Sequence, residues 1–292
     1  MSQINVYQLV ANNIVEQLNK GIIPWHRPWN GVSVNDGGAI NYVSRKPYSL
    51  LNQMLLPKQG EYLTFKQITD LGGKIKKGEK SSIVVFYKPF VTEKVQSDGT
   101  KKEITIPVLR YYNVFHIDQC EGIPTKINEN EKPTAPTLLD MQETIINNYV
   151  SRTGLKFTND KPSNRAYYSP IEDTVVVPMV SQYNEISEYY STTYHELVHS
   201  TGAEKRLNRK GVTGLAAFGS ETYSREELVA EIGAAMLCKV TGIEVAKTLK
   251  NSVAYIQSWA RAIKNDPKMF VIASAQAEKA ALFIQDIEIP QF

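Results

Sequence analysis

Two histidines four residues apart around a glutamate, His195-Glu196-Leu197-Val198-His199, restrict what this chain can fold into more than any other segment. The chain has 292 residues and only four His, so the pair is not part of a His-rich tract. Residues i and i+4 share a helical face, so a helix over 186–201 lets both imidazoles reach one metal ion. Neutral imidazole suits a divalent transition metal: Zn2+ first, with another such metal as the alternative. Glu196 can reach a metal-bound water without joining the ligands, and there it acts as general base. The competing reading is two surface histidines on an ordinary helix. By composition, that accident arises in fewer than about one chain in a hundred of this length.

A zinc site needs a third protein ligand, which must come from elsewhere in the chain. Residues 223–239 read as a helix that begins Tyr223-Ser224-Arg225-Glu226-Glu227-Leu228-Val229-Ala230-Glu231. Glu227 and Glu231 share a face, so one can bind metal while the other accepts a hydrogen bond from a ligating imidazole. The E-x-x-A-E spacing resembles the second helix of gluzincin metallopeptidases. That resemblance implies Glu227 as the ligand and Glu231 as its outer partner, with Glu226 the alternative ligand. The remaining histidines, His26 and His116, read as ordinary surface or packed residues. Asp173–Val177 is the candidate for a cleft-lining edge strand that pairs with an extended peptide, and a buried strand without a ligand is the equal alternative. Tyr183, Tyr189, Tyr190, Tyr194 and Tyr223 all lie nearby in sequence, so no one residue is assigned to steady an oxyanion.

Composition sets the frame. With 42% hydrophobic and 22% charged residues, the chain is globular rather than disordered, collagenous or coiled coil. Cys120 and Cys238 are far apart and form no disulfide framework, which favours a reducing compartment. The N-terminal text is not a signal peptide, and no apolar run approaches a membrane span. The expected location is therefore the cytoplasm. Residues 1–130 hold 16 Lys+Arg against 11 Asp+Glu, a net of +5, whereas the remainder carries −2. This asymmetry suggests two units with different partners.

The pattern along the chain agrees with two units. Apolar residues at helical spacing predict a helix over 3–20, stopped by Gly21. Residues 22–38 read as a loop, 45–56 as a short helix, and 62–71 as a helix start with Thr64 as N-cap. Ser82–Tyr87 and Ile104–Phe115 read as strands joined across the tip SDGTKK. The stretch 119–137 has three Pro and no periodicity, which marks a linker. Helices are expected at Leu138–Thr153, 186–201, 223–239, 244–264 and 268–286, with a strand at Tyr167–Val177 and a loop over 202–220. The expectation is an α+β chain. Residues 1–126 form an α+β unit with an antiparallel sheet, 127–136 the linker, and 137–292 a mostly helical unit with a small sheet.

Longer stretches carry a family resemblance. HELVHSTG, then Lys205-Arg206-Leu207-Asn208-Arg209, then REELVAEIGAAML, resemble the ArdC-type antirestriction proteins of conjugative plasmids and mobile elements. The first half is similar to the family's N-terminal domain. The matching pieces are Pro24-Trp25-x-x-Pro28-Trp29, Asn41-Tyr42, Arg45-x-Pro47-Tyr48-x-x-x-Asn52, and Gly73-x-x-Lys76-Lys77-Gly78-Glu79-Lys80 before a strand ending in Phe86. Ala203-Glu204 departs from the family pattern, outside the metal shell. The resemblance implies an N-terminal unit that binds single-stranded DNA with little sequence preference. It also implies a zincin-like, gluzincin-type hydrolase domain, and a whole that protects incoming DNA from restriction.

Sequence-tolerant binding needs cations along a groove and aromatic faces for stacking. Arg45, Lys46, Lys76, Lys77 and Lys80 can supply the charge, and Trp25, Trp29 and Tyr48 the faces. Each also has a plain structural reading, as a loop anchor or a solvated turn. Two functions stay open: a zinc peptidase acting on a protein or peptide, and a DNA-binding protection protein whose zinc only ties two helices together.

Overall fold

The computed structural model describes residues 5–26, 38–95, 101–127, 138–213, 221–243 and 253–288. The chain is mixed α and β, as expected. Helix α1 (Val6–Asn19) starts where the Asn5 side chain accepts from the amides of Tyr7 and Gln8. It buries Val10, Ala11, Ile14 and Leu18. Each of the larger of these side chains contributes roughly 1.5–3 kcal/mol relative to exposure.

A four-stranded sheet follows. Strands β1 (Ala39–Asn41) and β2 (Gly60–Thr64) flank helix α2 (Leu50–Leu55) in sequence. Helix α3 (Phe65–Asp70) opens with the Thr64 N-cap and a reciprocal Gln67 bond, as the sequence predicts. Strand β3 (Lys74–Ile75) precedes the long pair β4 (Ser82–Val95) and β5 (Lys101–His116). The order is β1-β2-β5-β4, antiparallel except for the parallel β1–β2 pair, which the sequence did not disclose. Each outer strand is bonded at one residue by a side chain of α2. Asn52 bonds Val85 N and O at 2.8 and 2.9 Å, and Gln53 bonds Ala39 N and O at 2.8 and 2.9 Å. Consecutive amides thus satisfy ladder groups that a free edge leaves open.

The start of the Pro-containing stretch docks on this sheet unit. Strand β6 (Cys120–Glu121) pairs with β3, and Tyr42 donates to the Pro124 carbonyl. Fully buried Glu61 accepts from Arg45, from Thr125 Oγ1 at 2.8 Å and from Lys126 N at 3.0 Å.

Beyond it come α4 (Leu138–Thr153), β7 (Lys156–Thr158), β8 (Tyr167–Ser169) and β9 (Thr174–Val176). The single strand expected at Tyr167–Val177 is in fact the hairpin β8–β9, broken by a turn in which Asp173 adopts φ +48. The sheet order is β7-β9-β8, so the Asp173–Val177 segment supplies a central strand rather than an edge. Helices α5 (Ile186–Ser200), α6 (Lys210–Thr213), α7 (Glu221–Val240), α8 (Val253–Asn265) and α9 (Pro267–Ile284) complete the fold. Of these, α6 lies inside the stretch read as loop. Asp266 caps α9 and Pro267 opens it, as the sequence predicts. Among the described residues no helix is long and apolar enough to cross a membrane.

The main core draws residues from both expected units. It runs continuously from Val10, Ile14 and Leu18 through Leu51, Val85 and Leu109 to Leu197, Leu228, Phe270 and Ala277. A smaller cluster on the opposite sheet face holds Ala39, Tyr48, Leu56, Tyr62, Val84 and Val114.

Candidate metal centre

Helix α5 carries His195, Glu196 and His199, and α7 carries Glu226, Glu227 and Glu231. These helices approach closely because Gly233 has no side chain. A Cβ there would lie 2.9 Å from Val198 Cγ2 and 3.1 Å from its Cγ1, so a larger residue forces the helices apart.

The approach brings three donors together. His195 Nε2 and His199 Nε2 stand 3.1 Å apart, and the Glu227 oxygens lie 3.5 and 3.4 Å from them. A tetrahedral zinc with ligand bonds of about 2.0–2.1 Å separates its donors by roughly 3.3–3.4 Å. The spacing therefore fits one ion held by two imidazoles and a carboxylate. Charge agrees with geometry. Burial disfavours a charged His199, yet hydrogen bonds to Glu226 and Glu227 overcome it and push the pKa up to about 10. Burial would likewise raise Glu227, but the two imidazoles hold it well below the usual carboxylate range. The cluster thus favours positive charge at its centre, which a divalent cation supplies.

Glu226, the alternative ligand in the sequence, faces the other side. Its Oε1 is 3.2 Å from His199 Nδ1, and Arg209 grips both of its oxygens at 2.6 and 3.0 Å. Glu226 therefore stands at the far edge of the His199 ring, where a partner fixes the tautomer. Gly211 makes room for it, because a Cβ there would be 2.8 Å from Glu226 Cβ. Glu231 holds the matching place at His195, its Oε1 3.7 Å from Nδ1, beyond hydrogen-bond length. Glu196 is buried on α5 between the two histidines in sequence.

The segment after α5 explains a motif whose role the sequence left open. Arg206 donates to the Ser200 carbonyl, and Arg209 to the Val198 carbonyl and Thr201 Oγ1, which satisfies the last turn of α5. Arg206 also grips Asp173 of the β8–β9 turn, joined there by Lys205 at 2.8 Å. Two arginines three apart, just past a helix end, are the signal that could have revealed this clamp.

The tyrosines separate as well. Tyr189 and Tyr190 are buried, with hydroxyls on Asn159 and Glu143, and Tyr194 is wholly buried. Half-buried Tyr183 has its phenol pKa raised, chiefly by burial and further by Tyr189 and Glu196. The Tyr223 side chain lies outside the described residues.

The DNA candidates fare unevenly. Trp25 is only 5% exposed, its ring 5.8 Å from Phe270 and 6.4 Å from Trp259, so it offers no open face. Tyr48 is buried against Tyr62 and Phe86, and Arg45 is paired with Glu61. Lys46, Lys76, Lys77 and Lys80 are all exposed, and Lys76 donates to the Asp118 carbonyl. Trp29 lies outside the described residues. His116 is packed on Tyr62, and His26 stands edge-on to Trp25.

Known proteins resemble this chain in sequence and fold. Residues 4–115 match the family model of the N-terminal domain of anti-restriction factor ArdC, and residues 144–276 match a zincin-like metallopeptidase. The chain is 30% and 29% identical to two DNA primase TraC proteins of Escherichia coli, covering 98% of itself but only 27% and 20% of their length. It is 26% identical to the uncharacterized protein y4eC of Sinorhizobium fredii, over 95% of this chain and 90% of that one. Crystal structures of the antirestriction ArdC protein from plasmid R388 superpose with a TM-score of 0.71 at 29% identity. The metal-free form covers 98% of this chain and 100% of that one, and the Mn(II)-bound form 97% and 98%. With both domain models met in order and the full length of an ArdC structure matched, the chain belongs to the ArdC-type antirestriction family.

Proposed function

We propose that this protein protects incoming DNA of a mobile element from restriction in the cytoplasm of a recipient cell. Its sheet unit binds single-stranded DNA without sequence preference, and its helical unit carries a metallopeptidase-type site. The observation that carries the second half is the convergence of His195, His199 and Glu227 at zinc-like spacing. These residues hold Zn2+ or a related divalent ion, and an ion so held supplies Lewis acidity and lowers the pKa of bound water. Glu196, adjacent to a ligand, takes the proton of the attacking water. Glu226 and Arg209 orient the His199 ring, and Glu231 takes the corresponding position at His195. The DNA half rests on the match to the ArdC N-terminal domain and on the basic first half of the chain. The primase relatives extend far beyond this chain, and their printed name adds nothing to the proposal.

A second reading keeps the metal but makes it structural. In it the ion ties α5 to α7 and the protein protects DNA by binding alone. The Glu227 side chain keeps 27% of its exposure, which favours a centre open to water over a closed structural one. The experiment replaces Glu196 with Gln and follows metal content, peptide hydrolysis and survival of transferred DNA under restriction. Loss of protection with metal retained supports the peptidase. Full protection with metal retained overturns a proteolytic role in that phenotype.

A further inference from the structure

The sheet face opposite the main core changes character along its length. Its inner end is closed by Tyr48, Tyr62, Val84 and Val114. Toward the outer end, β4 and β5 place Val84 opposite Tyr112, Phe86 opposite Arg110 and Lys88 opposite Val108, and facing residues of an antiparallel pair share one side. Phe86 is 43% exposed there, a large fraction for an aromatic ring on a sheet. It is held at a fixed tilt by Tyr48 at 6.3 Å and by Tyr112 edge-on at 5.9 Å. Lys88 lies 5.6 Å from the Tyr112 ring centre, and Arg110 is exposed beside Phe86. Among the described residues no carboxylate pairs with Lys88 or Arg110.

We infer that this patch, Phe86 and Tyr112 flanked by Lys88 and Arg110, is the surface on which single-stranded DNA stacks its bases. The inference rests on the proposed DNA-binding role and names the site that performs it. An aromatic face fixed from behind stacks any base, because every base has a π-face, and unpaired cations beside it meet the phosphates. Duplex DNA hides its base faces and gains only the charge contact. A second copy of this chain would bring a like-charged patch against Lys88 and Arg110. The residues singled out by sequence cannot do this work together, since Trp25 and Tyr48 are buried and Arg45 is paired.

The test uses the full chain and a fluorescein-labelled oligothymidine, titrated by anisotropy over a salt series, with thermal melts to confirm folding. Wild type binds the single strand more tightly than a duplex of equal length. Phe86→Ala weakens binding roughly 5- to 150-fold, as the loss of one stacked base does. Phe86→Trp restores it and adds indole fluorescence that DNA quenches. Lys88→Gln with Arg110→Gln lowers the slope of log K against log salt by about 1.4, two phosphate contacts' worth. If wild type binds no single strand, the DNA reading itself fails and this site with it. If wild type binds while folded Phe86→Ala and the double Gln variant keep its affinity and slope, DNA binds elsewhere and this inference alone is overturned.

Discussion

Arg209 and Glu226 are both about 5–6% exposed, and their ion pair links the end of α5, the start of α7 and the His199 ring. Removing one member of such a pair strands a buried charge and costs about 3–5 kcal/mol. Arg209→Met should therefore lower the melting temperature by roughly 2–4 °C per kcal/mol lost. Glu226→Gln keeps the shape but weakens the hold on His199 Nδ1, so metal affinity should fall about 10- to 100-fold. Competition with a fluorescent chelator measures it, and unchanged affinity would mean that Glu226 only braces the fold. At Asp173, burial raises the carboxyl pKa, but bonds from Arg206, Lys205 and Tyr168 outweigh it and hold it well below the usual value. A lowered folded pKa adds stability above the unfolded value near ~4, and that stability drains as pH falls below it. Asp173→Asn should thus melt lower than wild type at pH 7 and converge with it in acid, as melts between pH 7 and 2 would reveal.

At the scale of elements, the candidate donor pair was legible because its information is local. The i, i+4 spacing of His195 and His199 holds on any helix, and Asp266-Pro267 and Thr64 mark helix starts by side-chain chemistry close at hand. What stayed hidden depends on partners distant in sequence. Asp173 lies within a single expected strand but turns a hairpin in space, and the choice for Trp25 between a stacking face and a loop anchor waits on Trp259 and Phe270, which cover it. The resemblance already favours Glu227 over Glu226, but which histidine nitrogens each one meets needed the partner helix, because adjacent residues on a helix differ in the neighbour they face. Gly233 sets that neighbour at close range. Gly233→Ala places a methyl 2.9 Å from Val198 and should both destabilise the fold and loosen the donor triad. A paired variant, Gly233→Ala with Val198→Ala, should recover metal affinity if helix separation is the cause. Failure of the pair to recover it would point to a backbone effect at position 233.

Over the whole molecule, the linker suggests two bodies, yet the core joins them. Helix α1 buries Val10, Ile14 and Leu18 in the cluster that holds Phe270 and Ala277 of α9, and Leu50 N donates to Glu278 Oε1 at 3.0 Å. A unit whose first helix is covered by the last helices has little stability of its own, because its apolar face returns to water when they leave. The full chain should therefore unfold in one calorimetric transition, with van't Hoff and calorimetric enthalpies equal. A metal at about 100 times its Kd adds about 2.7 kcal/mol to the folded state. Since α5 and α7 belong to the same core as α1, chelation should move the entire transition down by several degrees rather than split it. Two separated peaks, with only one responding to chelator, would mean that the sheet unit folds without its helical cover. Trp25→Ala tests the joint directly. Removing a ring buried against Trp259 and Phe270 costs about 3–5 kcal/mol. It should lower the melting of the metal unit as much as that of the sheet unit, because the indole touches α8 and α9 while its backbone follows α1.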